Sequence, residues 1–116
     1  MMEYVSKSDN AYILIKICNL LDLNAINHVK AAIKNIILEL FGLSMLLKAK
    51  YTILKIIDNN MFFILQTEVR FLSLFLYVIQ PNNTKKYEFN LKVLKISNFL
   101  SNLTYLSNNI LKIENH

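Results

Sequence analysis

Apolar residues in the first half of the chain occur in two different patterns, a continuous run and a helical repeat, and each pattern predicts one kind of element. Between 11 and 18 the sequence AYILIKIC is apolar at every position except Lys16 and is rich in β-branched residues, which predicts a strand covered on both faces. From 25 to 41 the apolar residues recur every three or four positions and predict an amphipathic helix. Gly42 follows that pattern, where a helix commonly ends on a residue with positive φ. The predicted helix stripe consists of Ile26, Val29, Ile33, Ile36, Ile37 and Leu40.

The middle of the chain predicts a hairpin followed by a second helix. Segments 50–57 and 61–67 are strand-like, and the Asp58-Asn59-Asn60 sequence between them has the chemistry of a tight turn. Segment 68–79 is apolar nearly all round, which predicts a helix buried on more than one side, with Thr67 as its N-cap.

The last third predicts one more strand and one more helix. A turn or short loop at 81–86 leads to segment 87–97, whose alternating residues predict a fourth strand. From 98 to 113 leucine and isoleucine recur at helical spacing opposite Asn and Ser, which predicts an amphipathic C-terminal helix. Residues 1–10 are polar, and we expect them to form a flexible N-terminus of a single domain spanning 1–116.

The order β-α-β-β-α-β predicts an α+β fold of the ferredoxin-like kind, which RNA-recognition motifs share. Right-handed crossovers give a four-stranded antiparallel sheet with both helices on one face, and the extra C-terminal helix follows. We expect the other face to carry apolar residues that need cover, either from that last helix or from a partner. These residues are Tyr12, Leu14, Tyr51 and Ile53.

Composition excludes several chemistries. One Gly in 116 residues excludes Gly-rich phosphate loops, and one Cys excludes a disulfide scaffold or a multi-thiolate zinc site. The carboxylates are scattered singly, and His28 has no second ligand at a suitable spacing. We therefore predict no catalytic residues, no metal site and no cofactor. The polar N-terminus and the absence of a long apolar run favour an intracellular, soluble protein without a membrane partner.

The net charge of +5, from 13 Lys and Arg against 8 Asp and Glu, is compatible with a polyanionic partner. Lysines occur in close pairs that could contact phosphates, each contact adding a salt-dependent increment of affinity. The candidate RNA-binding residues are Lys30, Lys34, Lys48, Lys50, Lys85, Lys86, Lys92 and Lys95.

Three segments carry a resemblance to a known family. The first strand, Tyr12–Ile17, is similar to the pattern RYLLxEI; Ile36–Gly42, reading IILELFG, is similar to ALLELFG; and Leu91–Ser97 is similar to xLxVLxVSGTI. The hairpin and apolar helix between them have similar lengths. With these segments in this order, the chain resembles, over about residues 11 to 110, the Pop-five/Rpp-fourteen family of protein subunits of ribonuclease P and ribonuclease MRP. The chain departs from the pattern after Ser97, where Asn98-Phe99 replaces Gly-Thr, and at Gln66-Thr67, where a basic residue is usual.

The resemblance implies a non-catalytic subunit of a ribonucleoprotein whose RNA removes 5′ leaders from precursor tRNA. It also implies structured RNA, a barrel-shaped Rpp-thirty-like subunit and a second ferredoxin-like subunit as partners, and a nuclear or nucleolar location. No small-molecule ligand is expected. The apolar helix or the open sheet face would form the protein contacts. The candidate partner-binding residues are Tyr12, Leu14, Tyr51, Ile53, Phe71, Leu74, Phe75, Tyr77 and Val78.

Two alternatives of other classes stay open. The chain could be a structural or oligomerisation module of the same fold that binds no nucleic acid. It could also be a small-molecule-binding regulatory domain, for which a ligand would raise the melting temperature. Recovery of a structured RNA with the purified protein separates the ribonucleoprotein subunit from the structural module.

Overall fold

A computed structural model describes residues 10–18, 25–56, 61–87, 89–99 and 113–115. The elements are β1 (Asn10–Cys18), α1 (Ala25–Phe41), α2 (Leu43–Lys48), β2 (Tyr51–Ile56), β3 (Phe62–Glu68), α3 (Leu72–Val78), α4 (Pro81–Thr84), β4 (Asn90–Ser97) and β5 (Ile113–Asn115). Two 3₁₀ turns, Val69–Phe71 and Lys85–Tyr87, precede α3 and follow α4.

The sheet has the strand order β4-β1-β3-β2, with every neighbouring pair antiparallel. The short strand β5 pairs antiparallel with the outer edge of β2. This order is that of a ferredoxin-like α+β sandwich, so the predicted fold class is confirmed. The strands β1 and β3 have nearly continuous apolar sequences, because most of their side chains are buried on both faces of the sheet.

The helices α1 and α3 cover one face of the sheet, which we call the helix face. The main core lies between these helices and the sheet. The sheet contributes alternate residues of its strands, such as Ile13, Ile15 and Phe63, all fully buried. Helix α1 contributes the predicted stripe from Ile26 to Ile37, whereas Leu40 at its end is 43% exposed. Burial of each such aliphatic side chain stabilises the fold by about 1.5–3 kcal/mol.

Gly42 joins α1 to α2 and has φ +89° and ψ 172°. The predicted positive φ is confirmed, and this combination of angles is essentially restricted to glycine. Its N–H donates to the Leu38 carbonyl at 3.0 Å, and its own carbonyl accepts from Leu46 N–H at 3.2 Å. A single residue thus takes part in a hydrogen bond at the end of one helix and in another at the start of the next.

Two local predictions need correction, and one short helix has no counterpart in the predicted elements. Thr67 does not cap a helix: it and Glu68 belong to β3, and the chain enters α3 through the 3₁₀ turn Val69–Phe71. The segment 81–86 is not a loop, because Pro81 occupies the first turn of α4. The short helix α2 was not predicted, since its six residues carry no buried stripe.

The predicted strand at 87–97 is confirmed from Asn90 onward, whereas Tyr87 lies in a 3₁₀ turn. Residues 100–112 of the predicted C-terminal helix lie outside the described residues. Of its described ends, Asn98 and Phe99 are not helical, and Ile113 begins strand β5. The proposed turn at 58–60 and residues 1–9 of the proposed flexible N-terminus also lie outside the described residues, and Asn10 begins β1.

Candidate nucleic-acid and protein interface

The sheet face opposite α1 and α3, here called the outer face, is built from three rows of paired side chains. The middle row runs from Lys95 on β4 through Leu14 and Ile64 to Leu54 on β2. Its three apolar members form a second, smaller core and are 1%, 0% and 5% exposed, in that order. Tyr12 and Phe62, in the rows on either side, pack against this cluster and are half-buried.

The predicted composition of this face is half wrong. Tyr12 and Leu14 lie on it as predicted, but Tyr51 and Ile53 lie on the helix face. The cause is the register of β2, which pairs Ile53 with Leu65 of the main core and so directs Leu54 outward. Because residues 53 and 54 are both aliphatic, the sequence pattern alone does not distinguish the two registers.

A β-bulge in β4 determines which lysines reach the outer face. Leu14 pairs with Lys95 but Ile15 pairs with Val93, so Leu94 is an extra residue on β4. In a regular strand residues 92 and 95 would point to opposite faces. The bulge instead brings both lysines to the outer face, beside Lys16 of β1, which pairs with Lys92. Lys16 is absent from the sequence candidates because it stands alone in an apolar strand.

The remaining candidate lysines lie on the helix layer or at its ends. Lys30 and Lys34 are one turn apart on α1. Lys48 ends α2, and the Lys50 N–H donates to the Lys48 carbonyl at 3.0 Å just before β2. These pairs are therefore as close as predicted, but they are not on the sheet face that carries Lys92.

Lys85 and Lys86 lie in the 3₁₀ turn after α4, and Lys86 is engaged within the chain. Its ammonium donates to the Glu39 carboxylate at 2.5 Å and lies 5.4 Å from the centre of the Tyr87 ring. The Glu39 carboxylate, by accepting this hydrogen bond, raises the pKa of Lys86. A lysine already paired with a carboxylate is a weaker phosphate ligand than an unpaired one, because the carboxylate competes for its charge.

Most predicted partner-binding residues belong to the core instead of the surface. Burial places Leu14, Ile53, Phe71, Phe75 and Val78 at 7% exposure or less. Tyr51 and Leu74 are half-buried against the main core, like Tyr12 against the outer-face cluster. Only Tyr77, at 47%, is exposed. The prediction is corrected on this point: a core side chain cannot form a partner surface without unfolding.

A group of exposed apolar residues lies instead where α1 ends and α2 begins. Leu40, Leu43 and Leu47 are 43%, 61% and 66% exposed, and Phe41 is 39% exposed. The Phe41 ring meets the Tyr77 ring edge-on, with centroids 6.3 Å apart, so α3 contributes to the same region. We call these five residues the α1–α2 surface. Residues 43 and 47 were missed because the sequence offers no helical stripe there, although their apolar character was visible.

A cleft of about 490 Å³ lies between the start of β2 and the end of β3. Its lining includes Tyr51, whose pKa is raised by burial, and Glu68, whose carboxylate accepts from Arg70 at 2.7 Å. Within the described ranges, no three His, Cys, Asp or Glu side chains come together as metal ligands would. None of the described helices combines the length and hydropathy needed to span a bilayer.

Comparison with known sequences adds no family. No protein-family model matches the chain, and a search of curated proteins finds no match.

Proposed function

We propose that this chain is a non-catalytic protein subunit of a ribonucleoprotein of the ribonuclease P/MRP type, where it supports RNA-catalysed 5′ processing of precursor tRNA. The observation that carries the proposal is the segment Ile36–Gly42. Its sequence is similar to the family's pattern, and it occupies the end of α1 in a ferredoxin-like fold, with Gly42 at positive φ. The resemblance thus combines a local sequence with a backbone conformation that requires the glycine.

The distribution of charge supports a polyanionic partner. Lys34, Lys48 and Lys92 are exposed on different elements, and none of them takes part in a salt bridge between described residues. The free energy of such lysines in contact with phosphates comes largely from release of counterions. A subunit that contacts a large folded RNA at several points has this kind of charge distribution.

The α1–α2 surface supports protein partners. Leu43 and Leu47 are both more than 60% exposed and lie one helical turn apart, and grouped exposed apolar side chains of this kind mark interaction sites. In the proposed particle this surface contacts another protein subunit, either the barrel-shaped one or a second ferredoxin-like one.

The test is purification of the tagged full chain from its own cells, followed by sequencing of the RNA and identification of the proteins that accompany it. We expect one structured RNA, enriched over total RNA and lost on nuclease treatment, with a barrel-shaped protein subunit. We also expect the tagged chain in the nucleolus. Recovery of proteins without any RNA at low salt would contradict the proposal and favour the structural module.

A matched pair of variants sharpens the test. L43D/L47D places charge in the α1–α2 surface, while S44D adds charge to the same helix at an exposed polar position. We expect L43D/L47D to lose the protein partners and S44D to keep them.

A different outcome would favour the small-molecule-binding regulatory domain. In that case a small metabolite would raise the melting temperature of the chain, and purification would recover neither RNA nor protein partners.

A further inference from the structure

The three outer-face lysines form a compact cationic group. Lys16 and Lys92 are directly paired across β1 and β4, so their Cβ atoms lie about 5 Å apart. Lys95 occupies the next outer-face position along β4, about 7 Å further on. Without the bulge at Leu94 the group would not exist, because Lys95 would face the opposite way.

No carboxylate compensates this charge among the described residues. The outer-face positions of β1 and β4 hold no Asp or Glu, and the described salt bridges involve Arg70 and Lys86 instead. Like charges that are directly opposite on a sheet destabilise it by up to about 1 kcal/mol. An external anion that bridges Lys16 and Lys92 would remove this repulsion.

An aromatic ring continues the same row. Lys16 of β1 pairs with Lys92 of β4 on one side and with Phe62 of β3 on the other. Two cations and one half-buried aromatic ring therefore lie side by side on three adjacent strands. Cations that follow a backbone beside a ring on which a base can stack are typical of surfaces for single-stranded nucleic acid. An acidic peptide or a lipid headgroup would use the charge but not the ring.

We infer that the β1–β4 edge of the outer face binds the phosphate backbone of a single-stranded nucleic-acid segment through Lys16, Lys92 and Lys95, with a base against Phe62. That the nucleic acid is RNA rests on the proposed function. Lys16 is thereby added to the contact residues, and Lys30, Lys34, Lys85 and Lys86 are outside this site.

The test is a titration of the full chain against a fluorescent 20-nucleotide oligouridylate at several salt concentrations. Each phosphate contact to a single strand contributes a slope of about 0.7, or about 5-fold in affinity at 0.1 M salt. We therefore expect K16Q/K92Q/K95Q to bind about 100-fold more weakly than the wild type, and its salt slope to fall by about 2. K92Q/K95Q, altered only at exposed positions, should lose about 25-fold.

Two controls separate position from net charge. K30Q/K34Q/K48Q removes the same charge from α1 and α2 and should lose less than 5-fold. K95Q/I96K keeps the net charge but moves one lysine to Ile96, which is 42% exposed and pairs with Ile13 on the other face. We expect this variant to lose about 5-fold.

The outcomes distinguish this inference from the proposed function. Equal losses of affinity in K16Q/K92Q/K95Q and K30Q/K34Q/K48Q would mean that binding is diffuse and would overturn the inference. Recovery of the structured RNA from cells would still support the proposed function. Failure of the wild type to bind the oligouridylate would also overturn the inference. If the full chain bound vesicles containing phosphatidylserine through the outer-face lysines but did not bind the oligouridylate, the inference would be overturned in favour of a membrane surface.

Discussion

The hydroxyl of Thr67, in β3, donates a hydrogen bond of 3.0 Å to the backbone carbonyl of Lys50, which lies between α2 and β2. Thr67 is only 3% exposed, so the bond is shielded from water. It is formed between residues 17 positions apart in sequence and joins the end of β3 to the start of β2. A residue with the chemistry of a helix cap thus fixes the entry to a strand.

We expect Thr67→Val to destabilise the protein by about 1–2 kcal/mol, because it removes the donor and leaves the Lys50 carbonyl without this partner. The free energy of unfolding, measured by urea denaturation, checks this value. An unchanged midpoint would mean that water replaces the hydroxyl at this carbonyl.

The matched substitution is Thr84→Val. Thr84 is 1% exposed, and its hydroxyl has no hydrogen-bond partner among the residues that the structure describes. Replacing an unpaired buried hydroxyl with a methyl group removes a desolvation penalty, so we expect stability to stay the same or rise by up to about 1 kcal/mol. A loss comparable to that of Thr67→Val would show that Thr84 has a hydrogen bond in solution.

Gly42→Ala is expected to cost about 1–3 kcal/mol, entirely through the backbone. A Cβ at Gly42 would meet no atom of the described residues within 4 Å, so no steric clash with them contributes. The cost arises because φ +89° with ψ 172° is strained for any residue with a side chain. Urea denaturation should show the loss, and Ser44→Ala, at an exposed position of α2, should change stability by less than about 0.5 kcal/mol. Equal effects of the two variants would contradict the assigned backbone conformation.

The long, strongly periodic elements could be predicted from the sequence because local pattern and tertiary packing agree in them. Helix α1 has the predicted bounds, and Gly42 ends it because no other residue adopts its angles readily. The strand order followed from the sequence of elements and the handedness of crossovers. The sequence pattern does not say whether a partner or the C-terminal segment covers the outer face.

Other features depend on contacts that no local pattern encodes. Whether Ile53 or Leu54 faces the helices is decided by pairing with β3, and both residues are equally apolar. The bulge at Leu94 is visible only once β4 is aligned with β1, so the position of Lys95 beside Lys16 could not be predicted. The partner residues were wrongly placed for a related reason: an apolar segment such as 71–78 predicts burial but not what buries it.

Residue for residue, the outer-face cluster should contribute as much to stability as the main core. Ile64 is 0% exposed although it lies on the face without α1 and α3, so its burial is satisfied within this chain. We expect Ile64→Ala to cost about 2–5 kcal/mol in urea denaturation, like truncations in other cores. Ile96→Ala, which changes the same residue type at 42% exposure, should cost less than about 1 kcal/mol. Equal and small losses would mean that the outer face is open to water in solution.

The half-buried Tyr51 links stability to pH in the alkaline range. Its ring packs against Phe75, with centroids 5.1 Å apart, and this burial raises the pKa of Tyr51 above its usual 10.0. The folded state therefore holds the phenolic proton at pH values where the unfolded chain has begun to release it. The resulting stabilisation is fully present below pH 10.0, the usual pKa, and is lost as the pH rises through the folded-state pKa.

Tyr51→Phe removes this titration, so we expect the wild type to lose stability relative to the variant only above about pH 10. Urea denaturation at intervals from pH 7 to 11 measures the difference in the free energy of unfolding between the two proteins. Below pH 9 that difference should be constant, because neither protein titrates at position 51. Parallel curves up to pH 11 would show that the hydroxyl is solvated, and that the contact between Tyr51 and Phe75 does not exclude water from it.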